Sequence, residues 1–348
     1  EFRCLLAEAQ FALDRGEKVR ARDFLRKAMA LGKEQGYLNT YFWLPSVMAR
    51  LCVEALDAGI ETDYVQNLIR KRNLIPEAPP LECENWPWPL RLHTLGGFEL
   101  KKDGKPIEIP QKPLSLLKAL ISFGGREVAG ERLAYELWAD SEGDAAHTSL
   151  EVTLHRLRRL IVSEKAIQLK AGNLSLDPHS FWVDVWVLEH IYDKIAQCLK
   201  RAEESKSRKA EQRETEARKN EITHLADKAL GLYKGHFLPA DTSCSWTLAP
   251  RESWRSKFLR IITMTGSYLE AIQQCQKAVE YFQKGLEVDC LAEEFYQHLM
   301  VCYSQLGRKA EAMAVYNRCC DALSSALGAN PSTATKTIYS SLHRSRGA

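Results

Sequence analysis

Apolar residues recur at helical spacing through most of this chain, and the places where the spacing fails divide it. Residues 2–72 place Ala, Leu and Phe on helical faces, first in FRCLLAEAQFALDRGEKVRARDFLRKAMALGKEQGY and again in YFWLPSVMARLCVEALDAGIETDYVQNLIRKRNL. Asp14-Arg15-Gly16 cuts the first stretch into a helix, a tight turn and a second helix. In the second stretch Gly59 stops one helix, and Thr62 or Asp63 is placed to cap the next. A helical segment is therefore expected over 1–74. IPEAPPLECENWPWPL follows, with five Pro in sixteen residues, and cannot continue a helix. Residues 75–89 are expected to be a Pro-rich linker, with Trp86 and Trp88 available to pin it to a neighbouring surface.

The period then changes. LRLHTLGGFELKKDGKPIEI alternates and is cut at Gly96-Gly97 and at Asp103-Gly104, which predicts short antiparallel strands with a hairpin at the Asp-Gly. Helical spacing returns in PLSLLKALISF and stops at Gly124-Gly125; GERLAYELWAD predicts a second helix ending near Asp140. After SEGD comes HTSLEVTLHRLRRLI, where Leu150, Leu154, Leu157 and Ile161 recur at steps of four, three and four, one buried face. Asp144 is placed to cap this third helix, expected over 145–162. AIQLKAGNLSLDP alternates around Ala171-Gly172-Asn173, a closing hairpin. Strands, three helices and a C-terminal hairpin in this order predict a winged helix-turn-helix over 90–180, with the hairpin as its wing.

From FWVDVWVLEHI onward the pattern predicts helix throughout 181–348. Residues 200–221 hold eight Lys and Arg against six Asp and Glu, the mark of a solvated helix or insertion rather than a nucleic-acid tail. The clearest repeat is AEEFYQHLMVCYSQLGRKAEAMAVYNRCCDALSSALG. There Leu299, Tyr303, Ala310, Ala314 and Tyr316 are expected to pack and Gly307 to turn, and Tyr281 lies 35 residues before Tyr316. That is close to the tetratricopeptide period. The expected fold is mainly α, with tetratricopeptide-like helical repeats flanking an α+β winged helix-turn-helix domain.

Charge and composition narrow the function. No signal-peptide pattern opens the chain and no apolar run approaches a membrane span, so a cytoplasmic, membrane-free protein is expected. The first residues, EFRCLLAEAQ, already have helical spacing and lack Met, as expected for a piece of something longer. Ten Cys without a CxxC pair predict reduced, packed thiols, and nine His without HExxH or Cys/His spacing predict no metal; no cofactor is expected either. There is no GxxxxGK[ST] and no GxSxG, and no pair of carboxylates is set for catalysis, so an enzyme is not expected. The net charge of +3 matters less than its distribution. Residues 90–180 hold 13 Lys and Arg against 12 Asp and Glu, but 145–175 carry +3 and 127–144 carry −5. The positive end suits an anion and the negative end does not.

In a winged helix the helix after the turn enters the major groove. With its leucines inward, this one offers Thr148, Ser149, Glu151, Val152, His155, Arg156 and Arg159. Arg can pair bidentately with guanine O6 and N7, Glu151 can accept from a cytosine amino group, and Ser and Thr can donate to phosphate. Lys170 and Asn173 at the wing are candidates for phosphate or minor-groove contact, and Lys112 before the first helix is a candidate for backbone phosphate.

LRLHTLGGFEL, KPLSLLKALI, GGREVAGERLAYELW and SLEVTLHRLRRLI resemble the OmpR-type winged helix of SARP-type activators. FWVDVWVLEH, ALGLYKGHFLP and CLAEEFYQHLMVCYSQLGRKAEAMAVYNRCCDALSSALGANPS resemble the bacterial transcriptional activator domain that follows it in that family. CVEALDAGIETDYVQNLIRK is similar to tetratricopeptide regions of MalT-like regulators, which leaves room for an ATPase module ahead of it. The resemblance covers about 90–345 and implies a bacterial, sequence-specific DNA-binding transcriptional activator that recruits RNA polymerase. It puts major-groove reading on His155, Arg156 and Arg159. It puts the polymerase-contacting loop at 139–144, with Asp140, Ser141, Glu142 and Asp144, whose acidity fits a protein better than DNA.

One departure stands out: DAAHTSLEV, which starts the reading helix, carries no Arg or Lys. Affinity for bare double-stranded DNA is expected to be modest, with a homodimer or polymerase supplying the rest. A small-molecule or protein effector is expected on the repeats. The rival reading is a tetratricopeptide protein-interaction scaffold whose winged helix binds protein rather than DNA.

Overall fold

The computed structural model describes residues 1–39, 44–139, 143–161, 165–205 and 212–344. They fall into two compact units, Glu1–His93 with Glu99–Val187, and Thr94–Phe98 with Leu188–Ala348.

The first unit opens with two helical hairpins, α1 (Phe2–Asp14) with α2 (Lys18–Glu34) and α3 (Pro45–Asp57) with α4 (Thr62–Arg72). Leu6, Ala9, Leu25 and Ala28 fill the seam of the first pair. Gly32 is required there, because a Cβ would lie 2.3 Å from the Tyr64 hydroxyl. Thr62 and Asp63 are not caps: the N-cap position is Glu61, in left-handed backbone, whose side chain makes no capping bond to the helix, and both residues lie inside the first turn. The Pro-rich segment is laid down rather than free. Trp86 and Trp88 are buried, Arg91 donates to the Glu84 and Trp86 carbonyls, and Trp182 Nε1 donates to the Leu81 carbonyl at 3.0 Å.

A four-stranded sheet follows, made of β1 (Leu90–His93), β2 (Glu99–Lys102), β3 (Lys105–Pro106) and β7 (Phe181–Val183) in the order β3-β2-β1-β7. Strands β1 (Leu90–His93) and β2 (Glu99–Lys102) are antiparallel, with Leu92 opposite Leu100. Asp103 and Gly104, at φ 48° and 81°, make the tight turn to β3 (Lys105–Pro106), as the Asp-Gly predicts. Helix α5 (Gln111–Ser122) leads to β4 (Val128–Ala129), α6 (Gly130–Leu137) and α7 (Gly143–Ile161). Helix α6 ends short of the expected Asp140. Strands β5 (Ile167–Lys170) and β6 (Asn173–Leu176) form the wing, turning at Ala171 and Gly172, and β6 also pairs with β4. Finally β7 (Phe181–Val183) runs parallel to β1. Helix was expected there. All three residues are buried, and an apolar run covered on both faces satisfies a strand as readily as a helix. Helix α8 (Asp184–Ser205) starts only at Asp184, whose carboxylate accepts the Val185 N–H at 2.8 Å.

In the second unit, Thr94–Phe98 bonds to the segment before α10: Gly96 N–H donates to His236 and Leu238 N–H to Thr94. From Leu188 the unit is helical: the rest of α8, α9 (Gln212–Leu232), α10 (Ser245–Ala271), α11 (Cys275–Val288), α12 (Glu293–Gln305), α13 (Lys309–Leu327) and α14 (Thr333–Arg344). Helices α10 to α13 pack in succession, each on the next. Leu299 and Tyr303 are buried and Gly307 turns at φ 74°, as expected. In α13, however, the inward residues are Ala312, Val315, Cys319 and Leu323. Ala310 and Ala314 are exposed, and half-buried Tyr316 stacks on Tyr339 at 3.8 Å. An Ala-rich helix has too little size contrast around its circumference for sequence to fix which face turns in.

Candidate nucleic-acid interface

Helix α7 is held down by its apolar face. Ala146, Leu150, Leu154, Leu157 and Ile161 are buried, as the four-three-four spacing requires. Arg158 also turns inward, donating from Nε at 3.0 Å and Nη2 at 2.7 Å to the Ile167 carbonyl at the start of the wing. The tip of the wing is tied as well. Gly130 N–H donates to the Gly172 carbonyl at 2.8 Å, and a Cβ on Gly130 would come 2.9 Å from that oxygen. Helix and wing are thus fixed to each other and to the start of α6.

The opposite face is open. Thr148, Glu151, Val152, His155, Arg156 and Arg159 are exposed and follow one another at helical steps along a single stripe; Ser149 is half-buried at its margin. The Thr148 hydroxyl donates to the Asp144 carbonyl at 3.0 Å, so it is engaged with its own helix. Among the described residues no carboxylate pairs with Arg156 or Arg159. Neighbouring cations are occupied: Arg126 lies over the Trp186 ring at 4.9 Å and Arg132 over Phe123 at 3.8 Å.

The fold brings Lys112 to this face. Pro110, Gln111, Lys112, Pro113, Arg156, Arg159 and Leu160 line one groove of about 540 Å³. Lys112 also lies 5.9 Å from the centre of the Trp138 ring. Three of the predicted residues therefore share a cationic groove with apolar walls. Gln111 and Leu160 in that groove were not foreseen from sequence; Gln111 adjoins Lys112 at the helix start, and nothing local marks Leu160. Lys170 and Asn173 face each other across the wing turn, Lys170 exposed and Asn173 half-buried, and neither lines the groove. Asp140, Ser141 and Glu142 lie outside the described residues. Asp144 is not a cap but an exposed first-turn residue of α7, where a carboxylate suits the helix dipole.

Residues 199–343 match the family described as the bacterial transcriptional activator domain. In fold, the chain is similar to Mycobacterium tuberculosis EmbR, solved in complex with a low-affinity phosphopeptide. The TM-score is 0.58 at 15% identity, over 75% of this chain and 66% of that one, so the chain spans just under two thirds of that EmbR chain. A solved assembly chaperone of RpL4 (Acl4, residues 1–338) aligns over 100% of this chain and 97% of its own, at 12% identity. Its TM-score is 0.22. No curated protein matches the chain. The family match bears out the resemblance of the C-terminal region to the bacterial transcriptional activator domain, and the likeness to EmbR agrees with a mainly helical fold that includes a small β-containing region. Among the described residues no helix is long and apolar enough to cross a membrane, and no group of three or more His, Cys, Asp and Glu is placed to hold a metal.

Proposed function

We propose that this transcriptional activator binds double-stranded DNA sequence-specifically with α7 in the major groove and recruits RNA polymerase, without enzymatic chemistry of its own. The observation that carries the reading is the groove in which Lys112, Arg156 and Arg159 converge beside an exposed stripe, on a helix whose other face is buried. His155, Arg156 and Arg159 read bases, Thr148, Ser149, Glu151 and Val152 shape the base-facing surface, and Lys112, Lys170 and Asn173 meet the backbone. The acidic stretch Asp140, Ser141, Glu142 and Asp144 faces polymerase, because its charge disfavours phosphate. Labour divides along the chain: helical repeats over 1–74, the segment 75–89, the winged helix over 90–180 and the activator region over 181–348. A homodimer supplies the affinity that the weakly basic winged helix lacks.

The test is a binding isotherm on genomic fragments at several salt concentrations, followed by selection of the bound fragments. Salt-dependent, sequence-enriched binding is expected. Binding without sequence enrichment, with protein partners retained by the winged helix, would favour the scaffold reading.

A further inference from the structure

The second unit contains a pocket of about 710 Å³ where the end of α10, the start of α11 and the end of α12 meet. Ser267, Glu270, Gln273, Cys275, His298 and Gln305 bring polar groups to it, with Ala271 and Leu306 as apolar wall. Its volume is in the range of small-molecule sites, about 300–1,000 Å³.

The chemistry of the lining is one-sided. The Glu270 carboxylate accepts from His298 Nδ1 at 2.7 Å, and the His298 ring lies flat on Phe282 at 4.6 Å, which fixes its orientation. Glu294 stands 3.9 Å from the other ring nitrogen. Glu294 is 57% exposed and lies outside the lining, so Glu270 is the pocket's own carboxylate. Among the described residues, none that lines the pocket is Lys or Arg. The Cys275 thiol donates to Gln305 Oε1 at 2.8 Å, so that amide is held in place with its N–H₂ still to offer.

Other half-buried carboxylates of this unit are satisfied differently. Asp289 meets the Arg255 guanidinium at 2.5 Å, and Glu293 accepts from the Ser332 N–H at 2.6 Å and from the Thr335 hydroxyl. Glu270 is about as enclosed as Asp289, with 19% of its side chain exposed against 21%, yet among the described residues its ion-pair partner is a histidine alone. A carboxylate withdrawn from water without a full counter-charge is costly, and a cation arriving there recovers that cost.

We infer that this pocket binds a small, donor-rich cation, an amine or a guanidinium, on the Glu270 carboxylate. The same chemistry is available from a free metabolite-sized cation or from an Arg side chain of a partner. Isothermal titration of the 348-residue chain with butylguanidinium, with its uncharged counterpart butylurea, and with the peptide acetyl-Gly-Arg-Gly-amide tests the inference. Saturable binding of butylguanidinium is expected, with butylurea at least about tenfold weaker. Glu270→Gln is expected to weaken butylguanidinium by a similar factor. Ser267→Trp fills the pocket without touching the Glu270–His298 bond and is expected to abolish binding; it decides the matter should Glu270→Gln fail to fold. A peptide that binds more tightly than butylguanidinium supports the site and assigns the cation to a partner chain. Absence of saturable binding by any cationic probe overturns the inference. So does equal affinity for butylurea, or wild-type affinity in Ser267→Trp.

Discussion

The groove on α7 and the turns of the helical repeats use the same residue types to opposite ends. In the repeats, Arg255 is paired with Asp289 and Glu252, Arg308 with Glu311 and Lys257 with Glu189. On α7 the contrast is drawn within one turn: Arg158 is spent on the Ile167 carbonyl, while Arg156 and Arg159 stand open beside Lys112. A cation with an internal partner holds a fold. Cations gathered without a carboxylate among them repel each other, and the arrangement is relieved when an anion arrives. Position in the fold, rather than residue type, separates the two.

The largest loss is expected when α7 loses its anchor. Leu157→Ala removes a fully buried side chain and is expected to cost about 2–5 kcal/mol of stability, read by urea unfolding, with DNA binding lost alongside. Arg158→Ala removes the inward-facing cation alone. Removing both bonds to the Ile167 carbonyl should lower stability by about 1–3 kcal/mol and loosen the wing, seen as faster amide exchange over β5 and β6. Arg156→Ala and Arg159→Ala are the complementary case. Each should weaken specific binding by about 1–3 kcal/mol. Unfolding midpoints should correspond to a stability change within about 0.5 kcal/mol, as for an exposed residue. Lys112→Ala is expected to be the mildest, weakening binding evenly across sequences and reducing the slope of log K against log salt by about 1.

How far this was legible from sequence depended on whether the signal was local. The spacing of Leu150, Leu154, Leu157 and Ile161 specifies its own buried face, and the Asp103-Gly104 and Ala171-Gly172 turns specify their hairpins. Phe181-Trp182-Val183 does not, because the apolar run continues through Val185-Trp186-Val187-Leu188 and periodicity cannot divide strand from helix. The Lys112 groove joins residues more than forty positions apart, so the candidates could be named singly but their convergence could not. Arg158 and Arg159 are adjacent and chemically alike; only the position of the Ile167 carbonyl assigns one inward and the other outward. The pocket at Glu270 and His298 left no trace in sequence, since its residues carry no motif and meet only through the stacking of α10 and α12.

The central claim is that the open cations of α7 read DNA. The most direct measurement is fluorescence anisotropy of a DNA site selected from genomic fragments. Wild type and the Arg156→Ala/Arg159→Ala double variant are compared on that site and on a scrambled duplex at several salt concentrations. The account predicts that the double variant keeps its unfolding midpoint and its weak, salt-dependent binding to the scrambled duplex while losing preference for the selected site. A double variant that discriminates the two duplexes as wild type does would contradict it.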